Sequence, residues 1–242
     1  MCALFEGDRF IDVPANAWYL EDVMQASEME LVSGMSEAFF EPKRTMNRAM
    51  FATLLCKLEG AESQEYTAPF EDVSPDAWYA GAVNWAYENG VIHGISDTEF
   101  APLSSICREQ AVTMIVQYLE DQGVEMVPSE EETIFADQDQ ISDYAVEPIS
   151  IAYELEILTG YEDGTVRPQN ILARAEGVAM LMNLVEYLET GLNPAKEWMN
   201  REDCRVGGSP LFCGLHVLRP WAMAEFFQYP RQKTSKKLLK IS

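Results

Sequence analysis

Apolar residues recur along the chain in two alternating kinds of segment. In the first kind, Ala82, Trp85, Ala86 and Asn89 fall at positions 0, 3, 4 and 7, the spacing that places side chains on one face of an α-helix. Asp76 is positioned to cap the start of that helix and Gly90 to stop it. The second kind is longer: Ala111, Val112, Ile115, Val116 and Leu119 form one stripe, matched by Phe51, Leu54, Leu55 and Leu58 and by Val178, Leu181, Met182 and Val185. Between the two kinds lies a polar loop ending in proline. Gly160 to Pro168 is the clearest example, with Asp163-Gly164 as turn residues and Pro168 preventing helix continuation. The predicted fold class is all-α, built from helix-loop-helix units.

The units are copies of one another. Gly34, Gly94 and Gly160 each stand 8 residues before a proline, and each proline stands 6 before Arg48, Arg108 or Arg174. The units open on Phe10-Ile-Asp-Val, Phe70-Glu-Asp-Val and Phe135-Ala-Asp, followed by Trp18-Tyr19, Trp78-Tyr79 and, in the third, Tyr144 alone. Opening to glycine measures 24, 24 and 25 residues, so the third copy holds one extra residue, placed near Tyr144. The predicted boundaries are 8–60, 68–122 and 133–190, joined by polar connectors that carry proline, with a tail at 191–242. A single helix pair cannot bury its own apolar faces, so the three must pack together.

A reciprocal capping box would pair the residue before each arginine with the residue two after it. These pairs are Asn47/Met50, Cys107/Gln110 and Ala173/Glu176. No copy keeps a full reciprocal box; Asn47 is a sound cap alone, Ser105 or Asn170 could cap slightly earlier, and Glu176 reads as the second half of a box.

Composition adds one constraint of consequence. The net charge is -23, but residues 1–195 carry 8 Lys+Arg against 36 Asp+Glu, a net of -28, while residues 196–242 carry 9 against 4, a net of +5. Such a body has no basic patch for nucleic acid. No run of 18 apolar residues exists, so membrane insertion is not expected. The five cysteines have an odd count and no paired spacing, against a disulfide framework; Cys56 and Cys107 read as buried, inert thiols. Cys204, Cys213 and His216 are too irregularly spaced for a metal site, and neither His93 nor His216 has a recognisable nucleophile partner. No cofactor, metal or enzymatic activity is expected. The tail reads either as an appendage or as a basic strand lying on the acidic body.

The acidic Phe-x-Asp-Val opening, the aromatic pair, and a GYxDGTxRP loop followed by an I-T-R-A-E helix start, seen here as Gly160-Tyr-Glu-Asp-Gly-Thr-Val-Arg-Pro168 and Ala173-Arg-Ala-Glu176, resemble the S-layer homology domain in three tandem copies. The resemblance implies a pseudo-threefold, three-pronged spindle. Grooves between its prongs bind secondary cell-wall polysaccharide, often pyruvylated, and anchor proteins noncovalently to the bacterial surface. The start MCALFEGDRF lacks the basic and apolar regions of a secretory signal, so the expectation is a late start or a piece of a larger exported protein, with any cargo domain outside it.

A pyruvyl ketal places a carboxylate on a sugar, and an arginine at a helix N-terminus offers a planar donor fork at the positive end of the dipole. Arg48, Arg108 and Arg174 are therefore the predicted ligand contacts, with the Arg174 groove the first choice because its repeat also keeps Arg167 and Glu176. Glu41 and Ala101 replace the loop arginine in the other two. The alternative is that each arginine pairs with Asp12, Asp72 or Asp137 to hold units together. Trp18 and Trp78 either stack on sugar or fill an interunit core. Gly34, Gly94 and Gly160 are expected at positive φ, admitting ligand to the backbone. The competing function is a structural or protein-interaction module that has lost glycan binding.

Overall fold

A computed structural model describes residues 10–61, 66–124, 126 and 134–190. Among these there are six α-helices and no strand. They are α1 Leu20–Glu28, α2 Arg48–Glu59, α3 Ala80–Glu88, α4 Arg108–Asp121, α5 Val146–Glu154 and α6 Arg174–Thr190. The apolar stripes drive this arrangement: Phe51, Leu55, Val112, Ile115, Val178 and Leu181 are all buried in one continuous core. The extra residue of the third unit coincides with two 3₁₀ turns, Gln138–Gln140 and Asp143–Ala145, where the earlier units have simple turns.

The main helix pairings run between units rather than within them. Helix α2 of the first unit packs on α3 of the second, α4 of the second on α5 of the third, and α6 of the third on α1 of the first. Backbone bonds close the same ring. Met46 N–H donates to Leu172 O at 2.9 Å, Leu172 N–H to Ile106 O at 3.0 Å, and Ile106 N–H to Met46 O at 3.0 Å. Removing one unit would therefore orphan buried polar groups in both others.

Helix ends correct several details. Helix α3 begins at Ala80 with Tyr79 at the N-cap and no capping side chain, so Asp76 lies too far upstream to serve. Asn47 does cap α2, accepting the Met50 N–H at 2.8 Å. At α4 the capping residue is Cys107 rather than Ser105, and Cys107 with Gln110 forms a reciprocal box after all, sulfur taking the place of a hydroxyl. Glu176 accepts the Ala173 N–H at 2.8 Å, the second half of a box, in place of a cap by Asn170. Gly90 ends the segment after α3 at φ 70°, as a glycine stop should.

Candidate functional site

The motif arginines open α2, α4 and α6, and each reaches into the loop of the next unit round the ring. Arg48 Nε donates to Phe100 O at 2.9 Å and Nη2 to His93 O at 3.1 Å. Arg108 donates likewise to Val166 O and Thr159 O, both at 2.9 Å. Arg174 donates to Phe40 O and Ser33 O, both at 3.0 Å. The residues are 6%, 7% and 7% exposed, and burial pulls each guanidinium below its ordinary pKa. Aromatic faces complete the sockets: Phe100 lies 4.6 Å from Arg48, Tyr161 5.0 Å from Arg108 and Phe40 4.5 Å from Arg174.

The arginines thus hold units together, but through carbonyl oxygens and not through Asp12, Asp72 or Asp137. Those carboxylates do another job. Asp12 accepts the N–H groups of Phe40 and Glu41 at 2.8 and 2.7 Å, Asp72 those of Phe100 and Ala101, and Asp137 those of Val166 and Arg167. The second residue of each pair precedes the loop proline and has positive φ: 58° at Glu41, 57° at Ala101 and 50° at Arg167. Non-glycine residues seldom adopt this region unless surrounding bonds hold them there. Each aspartate is the clamp for one such bend.

The repeat glycines correct the positive-φ expectation, since none of the three adopts it. Space is the reason for two of them. A Cβ on Gly34 would stand 2.6 Å from the Phe10 ring, and one on Gly94 2.7 Å from the Phe70 ring. Gly160 has room, its nearest neighbour being Thr165 O at 3.4 Å. The glycine that does need left-handed backbone is Gly164, at φ 77° in the predicted Asp-Gly turn. Beside it, Arg167 lies 3.8 Å over the Tyr161 ring and 3.0 Å from Asp163. Bonds from Thr165 and then from Arg167 hold the Asp163 carboxyl down at about 2.

Trp18 and Trp78 are each 66% exposed, which excludes them from an interunit core. Each meets the following tyrosine edge-on, at 5.3 and 5.2 Å. Cys56 and Cys107 are buried, with burial pushing both thiols up. No helix is long and apolar enough to cross a membrane, and no group of His, Cys, Asp and Glu could hold a metal, among the described residues. The metal reading at Cys204, Cys213 and His216, and the docked or appended tail, lie outside those residues.

The three arginine junctions have one shared scaffold and different linings. The residue after each arginine donates its N–H to a loop proline carbonyl: Ala49 to Pro102, Glu109 to Pro168 and Ala175 to Pro42. The first residue after each of those prolines is Leu103, Gln169 and Lys43, and the second Ser104, Asn170 and Arg44. Beside the loop that Arg174 holds lies a groove of about 650 Å³ lined by Asp12, Tyr19, Glu41, Lys43 and Arg44. Arg44 pairs with Glu41 at 2.9 Å, both largely solvent-facing. Nη1 of Arg48, Arg108 and Arg174 makes no hydrogen bond among the described residues, yet is not fully enclosed. Sequence reasoning missed Lys43 and Arg44; the signal was that two cations follow Pro42 where the other copies have none.

Comparison with known proteins places these repeats. The family model described as S-layer homology domain matches residues 9–52, 69–112 and 134–176. The chain is 31% identical over 73% of its length to an exoglucanase of Acetivibrio thermocellus, covering 16% of that protein. It is 30% identical over 70% of its length to a surface-layer 125 kDa protein of Lysinibacillus sphaericus, covering 14% of it. With a cellulosome-anchoring protein of Acetivibrio thermocellus the figures are 27%, 69% and 38%. The chain therefore spans well under half the length of each of these relatives.

Proposed function

Because the chain belongs to the S-layer homology domain family, we propose that it anchors noncovalently at the bacterial cell surface by binding an anionic, pyruvylated secondary cell-wall polysaccharide. The cell-wall location and the anchoring role follow from the family, and the relatives named for a surface layer and for cellulosome anchoring support both. Any catalytic activity of a parent protein belongs to other domains; in the exoglucanase, the shared stretch is 16% of the protein.

The groove beside the Arg174 junction carries the reading. Lys43 and Arg44 give it two cations at the rim in a body of net -28, set against the Asp12 and Glu41 carboxylates that also line it. Nη1 of Arg174, which holds the adjoining loop, makes no hydrogen bond among the described residues. A ketal carboxylate seated there meets charge-assisted donors, while Tyr19 in the wall and exposed Trp18 beside it offer apolar faces to a pyranose. At the other two junctions Arg48 and Arg108 hold the corresponding loops, and Asp72 and Asp137 clamp their bends as Asp12 does here.

The test is binding to purified wall polysaccharide before and after mild-acid removal of the ketal. Retention that falls with the ketal, and again on Lys43→Glu with Arg44→Glu, supports the reading. Equal retention throughout leaves the competing structural or protein-interaction module.

A further inference from the structure

The Arg108 junction differs from the other two at one buried position. Where Ala49 and Ala175 follow the arginine, the second unit has Glu109, which is 2% exposed. Burying a carboxylate is costly unless its lone pairs are met, and here they are met by the third unit. Glu109 Oε1 accepts the Ser142 hydroxyl at 2.8 Å, the Tyr144 hydroxyl at 2.9 Å and the Gln169 side-chain amide at 2.8 Å. Glu109 Oε2 accepts the Ser142 backbone N–H at 3.1 Å. Burial first, and then the bond to Glu109, raises the Tyr144 phenol.

Four neutral donors converging on one carboxylate make a carboxylate receptor. Two of them stand at rim positions of this junction: Gln169 directly follows Pro168 as Lys43 follows Pro42, and Tyr144 directly precedes the Ala145 N-cap as Trp18 precedes Tyr19. We infer that Glu109 fills, from within the chain, a carboxylate receptor at the junction between the second and third units, so that this junction is closed to the acidic sugar that the Arg174 junction takes. Specificity here comes from an internal occupant. An external carboxylate must displace a tethered one of the same charge that has no translational entropy to lose. The part of this inference concerning acidic sugar rests on the function proposed above; the receptor itself does not.

The experiment uses the full chain and two probes. In Glu109→Ala the receptor is vacated, and about 100 mM acetate raises its melting temperature by roughly 3 °C while leaving wild type and the isosteric Glu109→Gln unmoved. In parallel, a methyl glycoside bearing a pyruvyl ketal is titrated calorimetrically and by amide NMR. The alanine variant gains one further equivalent over wild type, and in wild type the Ser142, Tyr144 and Gln169 signals stay in place. Acetate acting equally on all three proteins, or on none, overturns the inference, as does movement of those three signals in wild type. If wild type takes no glycoside while acetate rescues Glu109→Ala, the glycan reading falls and the internal receptor stands.

Discussion

The Arg108 and Arg174 junctions share a backbone and differ in what faces solvent. Both arginines give Nε and Nη2 to two carbonyls of the next loop, both loops bend at a positive-φ residue held by an aspartate, and both are followed by the same N–H to proline carbonyl bond. At the Arg108 junction the next side chain is Glu109, already satisfied by four donors, and Gln169 turns inward to it. At the Arg174 junction it is Ala175, and Lys43 and Arg44 line a groove. The arginines therefore build the ring, and in the binding mode proposed above it is the residues beside them that decide whether a junction can hold an anion.

The scaffold half of that comparison breaks first if the arginines are not equivalent. Arg108→Ala and Arg174→Ala each lose one buried and one partly buried charge-assisted bond and leave two carbonyls without those donors. Each should cost about 3 kcal/mol in urea unfolding; a loss at one junction only would show that the ring is not uniformly held. The consequence for binding studies is that Arg174→Ala confounds contact with stability.

Next in size are the loop clamps. Asp12→Ala and Asp137→Ala leave two N–H groups without acceptors beside a left-handed residue, and each should cost about 2 kcal/mol. Gly34→Ala and Gly94→Ala drive a methyl into an aromatic ring and neighbouring backbone, with a loss of about 2 kcal/mol, whereas Gly160→Ala stays within about 0.5 kcal/mol. Equal losses at all three glycines would return the explanation to backbone conformation. Glu176→Ala removes half of a capping box and should cost about 1 kcal/mol. For binding, the acidic body repels an anionic glycan, so added salt should leave affinity unchanged or raise it; a steep fall would make long-range attraction the driving term.

Much of this was legible in the chain. Helix faces follow from spacings such as Ala111 to Leu119, because a buried stripe has to repeat with the turn of the helix. The three arginines were picked out correctly as a recurrent feature of helix starts. Their partners were not legible, because carbonyls 134 and 141 residues away from Arg174 leave no side-chain signature. For the same reason the loop Gly160 to Pro168, the best-kept copy of the motif, turns out to receive Arg108 rather than Arg174. Asp76 misled because the chain makes further turns before α3 starts. Glu109 drew no notice as one acid among 40, though lining up the three arginines sets it against two alanines.

The most direct test of the account is a calorimetric titration of pyruvylated wall polysaccharide into the wild-type chain and into Lys43→Glu with Arg44→Glu. Both side chains are exposed, so the melting temperature should hold while affinity falls at least about tenfold, near 1.4 kcal/mol. Undiminished affinity in the folded double variant would contradict the claim that the Arg174 junction is where the glycan's carboxylate is held.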